Sequence, residues 1–309
     1  MTFLEIRQRI AEQLGIDSAD TTTDSNATIA NKLKEWVNSR YRALAAKRTW
    51  NWLIKDAIIQ TTTEITTGTV TATLASTTIT FSSGPTPSVA QWFIQFSSSD
   101  DWYQITSHTA AATTATLANA YLLTTSSTLT YTLRKVYYPM PTDVGRILNI
   151  KQTRDDISLK YIAPRLLDRL VADRTRSGEP EFYSIAGLDP SVAATATKQF
   201  RLEFYPVANV AMNLNIRYYQ VLAELSADTD IPFIPEGFHD ILVWDVLGTY
   251  GFTWLDDTRL SAAKAEANDL LKSMIKNDVA TENMPTRIPF DVDLTAEENF
   301  LRRLDLPIV

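Results

Sequence analysis

His108 and His239 are the two histidines of this 309-residue chain, and histidine is the side chain best suited to move a proton or hold a transition metal near neutral pH. Either task needs company: a metal needs several ligands at matched spacing, and a catalytic imidazole needs a nucleophile and an orienting acid within reach. Neither histidine has such a neighbour in sequence, and His239 opens a predicted buried helix, so both read as structural. The chain has no cysteine, which excludes thiolate catalysis, disulfides and Cys-bound zinc and fits folding in a reducing cytoplasm. Serines are plentiful, yet no Gly-x-Ser-x-Gly elbow occurs, and the 9 glycines form neither of the phosphate-cradling patterns G-x-x-x-x-G-K and G-x-G-x-x-G. Acids pair at Asp100/Asp101, Asp155/Asp156, Asp228/Asp230 and Asp256/Asp257. Adjacent carboxylates suit a hard cation, but none belongs to a complete calcium loop, and solvated turns are the expectation. The residues therefore predict no catalysis, no cofactor and no metal.

Binding surfaces are the other kind of chemistry. Lys151, Arg154, Lys160, Arg165, Arg169, Arg174 and Arg176 form a basic cluster diluted by Asp155, Asp156, Asp168 and Asp173. It reads first as a solvated face, with Arg165, Arg169, Arg174 and Arg176 as the candidate patch toward a partner or DNA. A net charge of −7 opposes general affinity for a phosphate backbone. Trp92, Trp102 and Tyr103 could stack on a sugar, but at strand spacing they read as core. Trp50 and Trp52 fall on different sides of whatever element holds them, which predicts one in a helical core and the other against a neighbour.

The elements that position these residues follow from periodicity. Phe3, Ile6, Ile10 and Leu14 predict a short helix stopped by Gly15. Ile29, Leu33, Trp36, Val37, Tyr41 and Leu44 predict a second, capped among Asp24, Ser25 and Asn26 and ending near Thr49. Between Asp56 and Arg134 the charged residues are Glu64, Asp100 and Asp101 alone. Thr and Ser alternate there with apolar residues, as in Thr69–Leu74, and no run approaches the roughly 20 apolar residues of a membrane span. Strands are expected at Gln91–Phe96, Trp102–Ser107, Thr113–Leu117 and Thr128–Val136, giving an all-β module whose uncharged outer face suits packing against protein. Beyond it, Pro164–Asp173 reads as a short helix, and Gln199–Tyr205 with Met212–Val221 as an antiparallel pair joined at "PVANVA". Glu236–Tyr250 and roughly Thr258–Asn277 read as two strong helices. The expected class is α+β: a helical bundle core with a β-hairpin (residues 1–60 and 134–280), an inserted β-domain of sandwich or small-barrel type (61–133), and an extended C-terminal arm (281–309). Phe290, Phe300, Leu301, Leu304, Leu306 and Ile308 are many apolar groups for an idle tail, and with Trp50 and Trp52 they are the candidate interface.

The order of these parts resembles the portal-to-tail adaptor, or head–tail connector, proteins of tailed bacteriophages. The resemblance rests on "ANKLKEWVNSRYRALAAKRTWNWL", on "DDWYQITSHTAAATTATLANAYL" and "LTYTLRKVYYPMPTDVGRIL", and on "SGEPEFYSIAG", "FRLEFYPVANVAMNLNIRYYQ" and "DTDIPFIPEGFHDILVWDVLGTY". It implies a non-enzymatic virion protein at the head–tail junction, made in the host cytoplasm, with a helical bundle. Its implied partners are its own copies in a ring, commonly of twelve, the portal protein and a tail or nozzle protein, with DNA passing through and no membrane contact. A neck stopper, tail-completion protein or minor tail component is the neighbouring alternative, and a carbohydrate-binding β-module the more distant one.

Overall fold

The computed structural model describes residues 1–16, 27–154, 157–170, 176–190 and 199–283. Its helices are α1 (Phe3–Leu14), α2 (Ala27–Ala46), α3 (Pro164–Leu170), α4 (Asp240–Val246), α5 (Phe252–Leu255) and α6 (Leu260–Asn283). Its strands begin with β1 (Ile54–Gln60), β2 (Val70–Ala72), β3 (Thr78–Phe81), β4 (Phe93–Phe96), β5 (Trp102–His108), β6 (Thr114–Leu117), β7 (Ser126–Leu129) and β8 (Tyr131–Arg134). They continue with β9 (Tyr137–Pro139), β10 (Val144–Gln152), β11 (Lys160–Tyr161), β12 (Ser177–Gly178), β13 (Phe182–Leu188), β14 (Phe200–Tyr205), β15 (Val207–Ala208) and β16 (Asn213–Gln220). The chain divides into two compact units, Met1–Leu53 with Leu222–Val309, and Ile54–Val221.

The first unit is helical. In α1, Thr2 and Glu5 exchange side-chain and backbone hydrogen bonds as a capping box, Gly15 closes the far end at φ 71°, and the Phe3, Ile6 and Ile10 stripe is wholly buried. Arg7 is buried on the same helix and pairs with Asp228. Helix α2 buries Leu33, Val37, Tyr41 and Leu44, and its Asn38 side chain donates to Leu225 O at 2.9 Å and accepts from Leu225 N–H at 2.8 Å. Arg40 binds both carboxylate oxygens of Asp245 on α4 at 2.8 and 2.9 Å, and that hydrogen bonding raises the guanidinium pKa further. The apolar run at 236–250 does not stop at Tyr250. A π-helical turn, Leu247–Gly251, carries α4 into α5, and the chain leaves the helix only at Asp256, in the left-handed region at φ 53°. A side chain at Gly251 would begin 3.0 Å from Leu14 Cδ2, so the glycine lets α1 approach the π turn.

The second unit is β. Strands β2 to β8 form one seven-stranded antiparallel sheet in the order β7-β2-β3-β6-β5-β4-β8. Its two edges, β7 and β8, are one stretch of chain interrupted at Thr130, so the sheet curls back on itself into a nearly closed barrel. Alternation explains the missing charge: along β3, Thr78 and Thr80 face out while Ile79 and Phe81 face in. Aromatic rings fill the interior, with Phe96 at 5.5 Å from Tyr103 and 5.1 Å from Tyr121 between centroids, and Trp92 is buried among them. One turn depends on a glycine. A Cβ at Gly84 would sit 2.1 Å from Ala111 O, a backbone atom that cannot swing away. Gly84→Ala should therefore destabilise the protein by about 3 kcal/mol. A thermal melt within 1 °C of the parent would contradict that close approach.

The expected class, a helical bundle core carrying a β insertion, is overturned: residues 134–221 build sheets as well, and most of the described elements are strands. Three strands pair as β1-β16-β10 and four as β11-β13-β14-β9. The hairpin expected across "PVANVA" is absent: β14 pairs with β13 and β9, whereas β16 pairs with β1 and β10. The cause lies in the connection, because β15 pairs in parallel with β12 and carries the chain away before it can fold back on β14. Asp143 ties the three-stranded sheet together, accepting from Lys55 Nζ at 2.6 Å and from Tyr218 Oη at 2.9 Å. Burial and this hydrogen bond push the Tyr218 hydroxyl up to about 12, and although burial opposes ionisation of Asp143, its two donors hold the carboxyl below its ordinary value.

Candidate assembly interface

A short 3₁₀ turn, Asn51–Leu53, separates the two tryptophans that follow α2. Asp278 of α6 anchors it, accepting from Asn51 N–H at 3.1 Å, while Asn51 Nδ2 donates to Asp278 O at 3.3 Å. Trp50 points inward: its exposure is 0%, and its Nε1 donates to Leu44 O at 3.0 Å. It has no surface to offer a partner. Trp52 is only half-buried, lies 5.9 Å from the Trp50 ring and 6.3 Å from that of Phe233, and its Nε1 finds no acceptor among the described residues. Phe233 and Ile231 are 55% and 61% exposed, and Tyr41 Oη accepts from Phe233 N–H at 2.7 Å, fixing that strip of backbone. Trp52 and these two residues give the helical unit an apolar patch, a composition that suits the centre of a protein–protein contact.

A second aromatic surface escapes the sequence reading. Trp36 of α2 stacks on Tyr250 of the π turn at 5.6 Å and 16°, and meets Trp254 edge-on at 6.0 Å. Lys32 Nζ sits 4.8 Å from the Trp254 ring centroid. The spacing of Tyr250 and Trp254, four residues apart, was the available signal, but it becomes one face only because the helix continues through Gly251.

The other candidates divide plainly. Arg165 and Arg169 lie one turn apart on α3 and both are exposed, as is Arg176; Arg174 lies outside the described residues. Phe290, Phe300, Leu301, Leu304, Leu306 and Ile308 also lie outside them, as do Asp155, Asp156 and the expected α2 cap at Asp24, Ser25 and Asn26. Trp102 is covered by the Arg134 guanidinium at 5.0 Å, and with Trp92 and Tyr103 buried these rings make no open stacking platform. Both histidines spend their ring nitrogens on structure. His108 Nδ1 accepts from Val89 N–H at 3.1 Å and Nε2 donates to Ala112 O at 3.0 Å; His239 Nε2 donates to Ile234 O at 2.8 Å, with the Met1 amino group at Nδ1. Asp230 accepts from the Ser226 and Ala227 N–H groups, Asp257 binds Arg259, and no three His, Asp or Glu side chains converge as metal ligands among the described residues. No described helix is long and apolar enough to cross a membrane.

Taken together, the geometry offers surfaces and spends its polar side chains on local structure. Residues 86–289, from the loop before β4 to beyond the end of α6, match the family model described as SU10 adaptor protein. The chain belongs to the SU10 adaptor protein family. It is thus a phage structural adaptor, the class its order of parts resembles. No curated protein matches the chain significantly. In this adaptor the matched region takes in both the barrel from β4 onward and the π-turn helix, so the aromatic surface of Tyr250 and Trp254 and the Phe233 patch lie inside it.

Proposed function

We propose that this adaptor closes into a ring, of twelve copies in the family's usual form, between the portal and a tail or nozzle protein, and that the ring's inner wall forms part of the DNA conduit. Membership of the SU10 adaptor family is the observation that carries the reading. The physical chemistry agrees: a chain of net charge −7 repels phosphate rather than holding it, as a passage requires. The protein works as a component of the virion and performs no catalysis. Neighbouring copies meet through the Trp52 and Phe233 patch and through the Thr-coated, uncharged barrel face. The apolar residues of the C-terminal arm, Phe300 to Ile308 above all, bind the portal. Mixing the purified chain with its portal and weighing the product by mass photometry tests this directly. The expected species is one portal carrying a complete ring. Failure of the chain to join the portal at any ratio would rule the reading out.

A further inference from the structure

An open groove of about 580 Å³ lies within the β unit, lined by residues of β10, β11, β13 and β14. Its back is firm, because Tyr183 is part of a buried core cluster and Ile147 and Ile185 pack against that cluster. Its rim is aromatic: Tyr161 and Phe200 are 54% and 46% exposed, and the Tyr161 ring stands 5.5 Å from that of Tyr183. Two polar side chains of the lining are unspent. Arg146 is exposed, and its guanidinium makes no hydrogen bond or ion pair among the described residues. Tyr183 is only 8% exposed, yet its hydroxyl likewise has no hydrogen-bond partner among the described residues. Burial first, and then the neighbouring Tyr161, hold that hydroxyl above its ordinary pKa, so it keeps its proton and can donate. No Asp or Glu lines the groove among the described residues. A positive charge, a phenol donor and apolar walls together call for a carboxylate carried on an apolar body.

The openness of the groove decides what carries that carboxylate. A free small ligand is mostly enclosed by its pocket, whereas this groove covers one side of its occupant and leaves the other in solvent, as suits a stretch of a larger molecule. We infer that the groove receives an extended segment of a partner protein that bears an Asp or Glu close to a large apolar side chain. The apolar side chain lies against Ile147, Ile185 and Phe200 and supplies the anchor. The carboxylate is held by the Arg146 guanidinium, whose planar fork matches its two oxygens, and Tyr183 Oη donates to an oxygen of the segment. An uncharged segment of the same shape would leave Arg146 without its counter-charge, so the groove selects for the acid. This site is distinct from the surfaces assigned to ring closure and to portal binding, and depends on neither.

The test uses the purified full-length chain and an array of short synthetic peptides with blocked ends. Each carries one Phe, Leu or Trp and one Glu at every close spacing and in both orders, and each has a twin with Gln in place of Glu. The tightest pair is then measured in solution by calorimetry. The Glu peptide should bind at least roughly tenfold more tightly than its Gln twin. Arg146→Ala should abolish that preference, and Tyr183→Phe, which keeps the ring and removes the hydroxyl alone, should weaken binding by about fivefold. Arg165→Ala, the loss of an exposed arginine on α3, should change neither. Equal binding of the twins, no binding by any peptide, or an Arg165→Ala effect as large as that of Arg146→Ala overturns the site. Should 3-phenylpropionate, a free apolar carboxylate, bind as tightly as the best peptide, the partner segment is overturned in favour of a small acid. The portal takes no part in the experiment, so its outcome is independent of portal binding.

Discussion

A chain ending at Asn299 should fold, melt as the full chain does, and fail to hold the portal. The cut removes Phe300, Leu301, Leu304, Leu306 and Ile308 from the end of the first unit and spares every described helix of that unit and the whole of the β unit. At ~25 cal/mol per Å² of apolar surface, burying five such side chains returns several kcal/mol before ordering losses, and about 3 kcal/mol per subunit after them. That corresponds to roughly 100-fold in affinity for a single contact, and a ring repeats the loss at every subunit. Titration of the portal with full-length and shortened chains measures it. Equal midpoints would remove the arm as the portal contact and leave the Trp52 patch to carry it.

Trp50 and Trp52 should separate stability from assembly. Replacing Trp50 by alanine empties a fully buried indole site and removes its hydrogen bond to Leu44 O, a change worth about 4 kcal/mol and a melting temperature lower by roughly 10 °C. Trp52→Ala removes a half-buried ring whose Nε1 has no acceptor among the described residues, so its effect on the melt should be less than half as large. Its main consequence should be weaker association between copies. The two differential-scanning melts, with sedimentation of each variant, decide the matter. A Trp50→Ala protein that melts within 2 °C of the parent, or a Trp52→Ala protein that assembles normally, would reverse these assignments.

Periodicity in the chain alone was enough to determine the helices and the wall of the barrel. Phe3, Ile6, Ile10 and Leu14 can share a side only at 3.6 residues per turn, Gly15 can end such a helix, and alternating Thr with Ile or Phe can form nothing so readily as a half-buried strand. Short-range signals also separated Trp50 from Trp52, though not which of them faces inward. Pairing of distant strands was beyond that reach. Strand β10 carries two register shifts, at Val144/Arg146 and Ile147/Asn149, which scatter its apolar residues and erase the two-residue period that would have announced it. Likewise β14 and β16 look like a hairpin from their separation, and only the pairing of β15 with β12 sends them to different sheets. Tyr250 and Trp254 become one surface with Trp36 through a π turn that no local pattern specified. Local periodicity records which face of an element is buried, whereas bulges, strand partners and the groove beside β10 depend on what lies across from it, and only the tertiary structure supplies that.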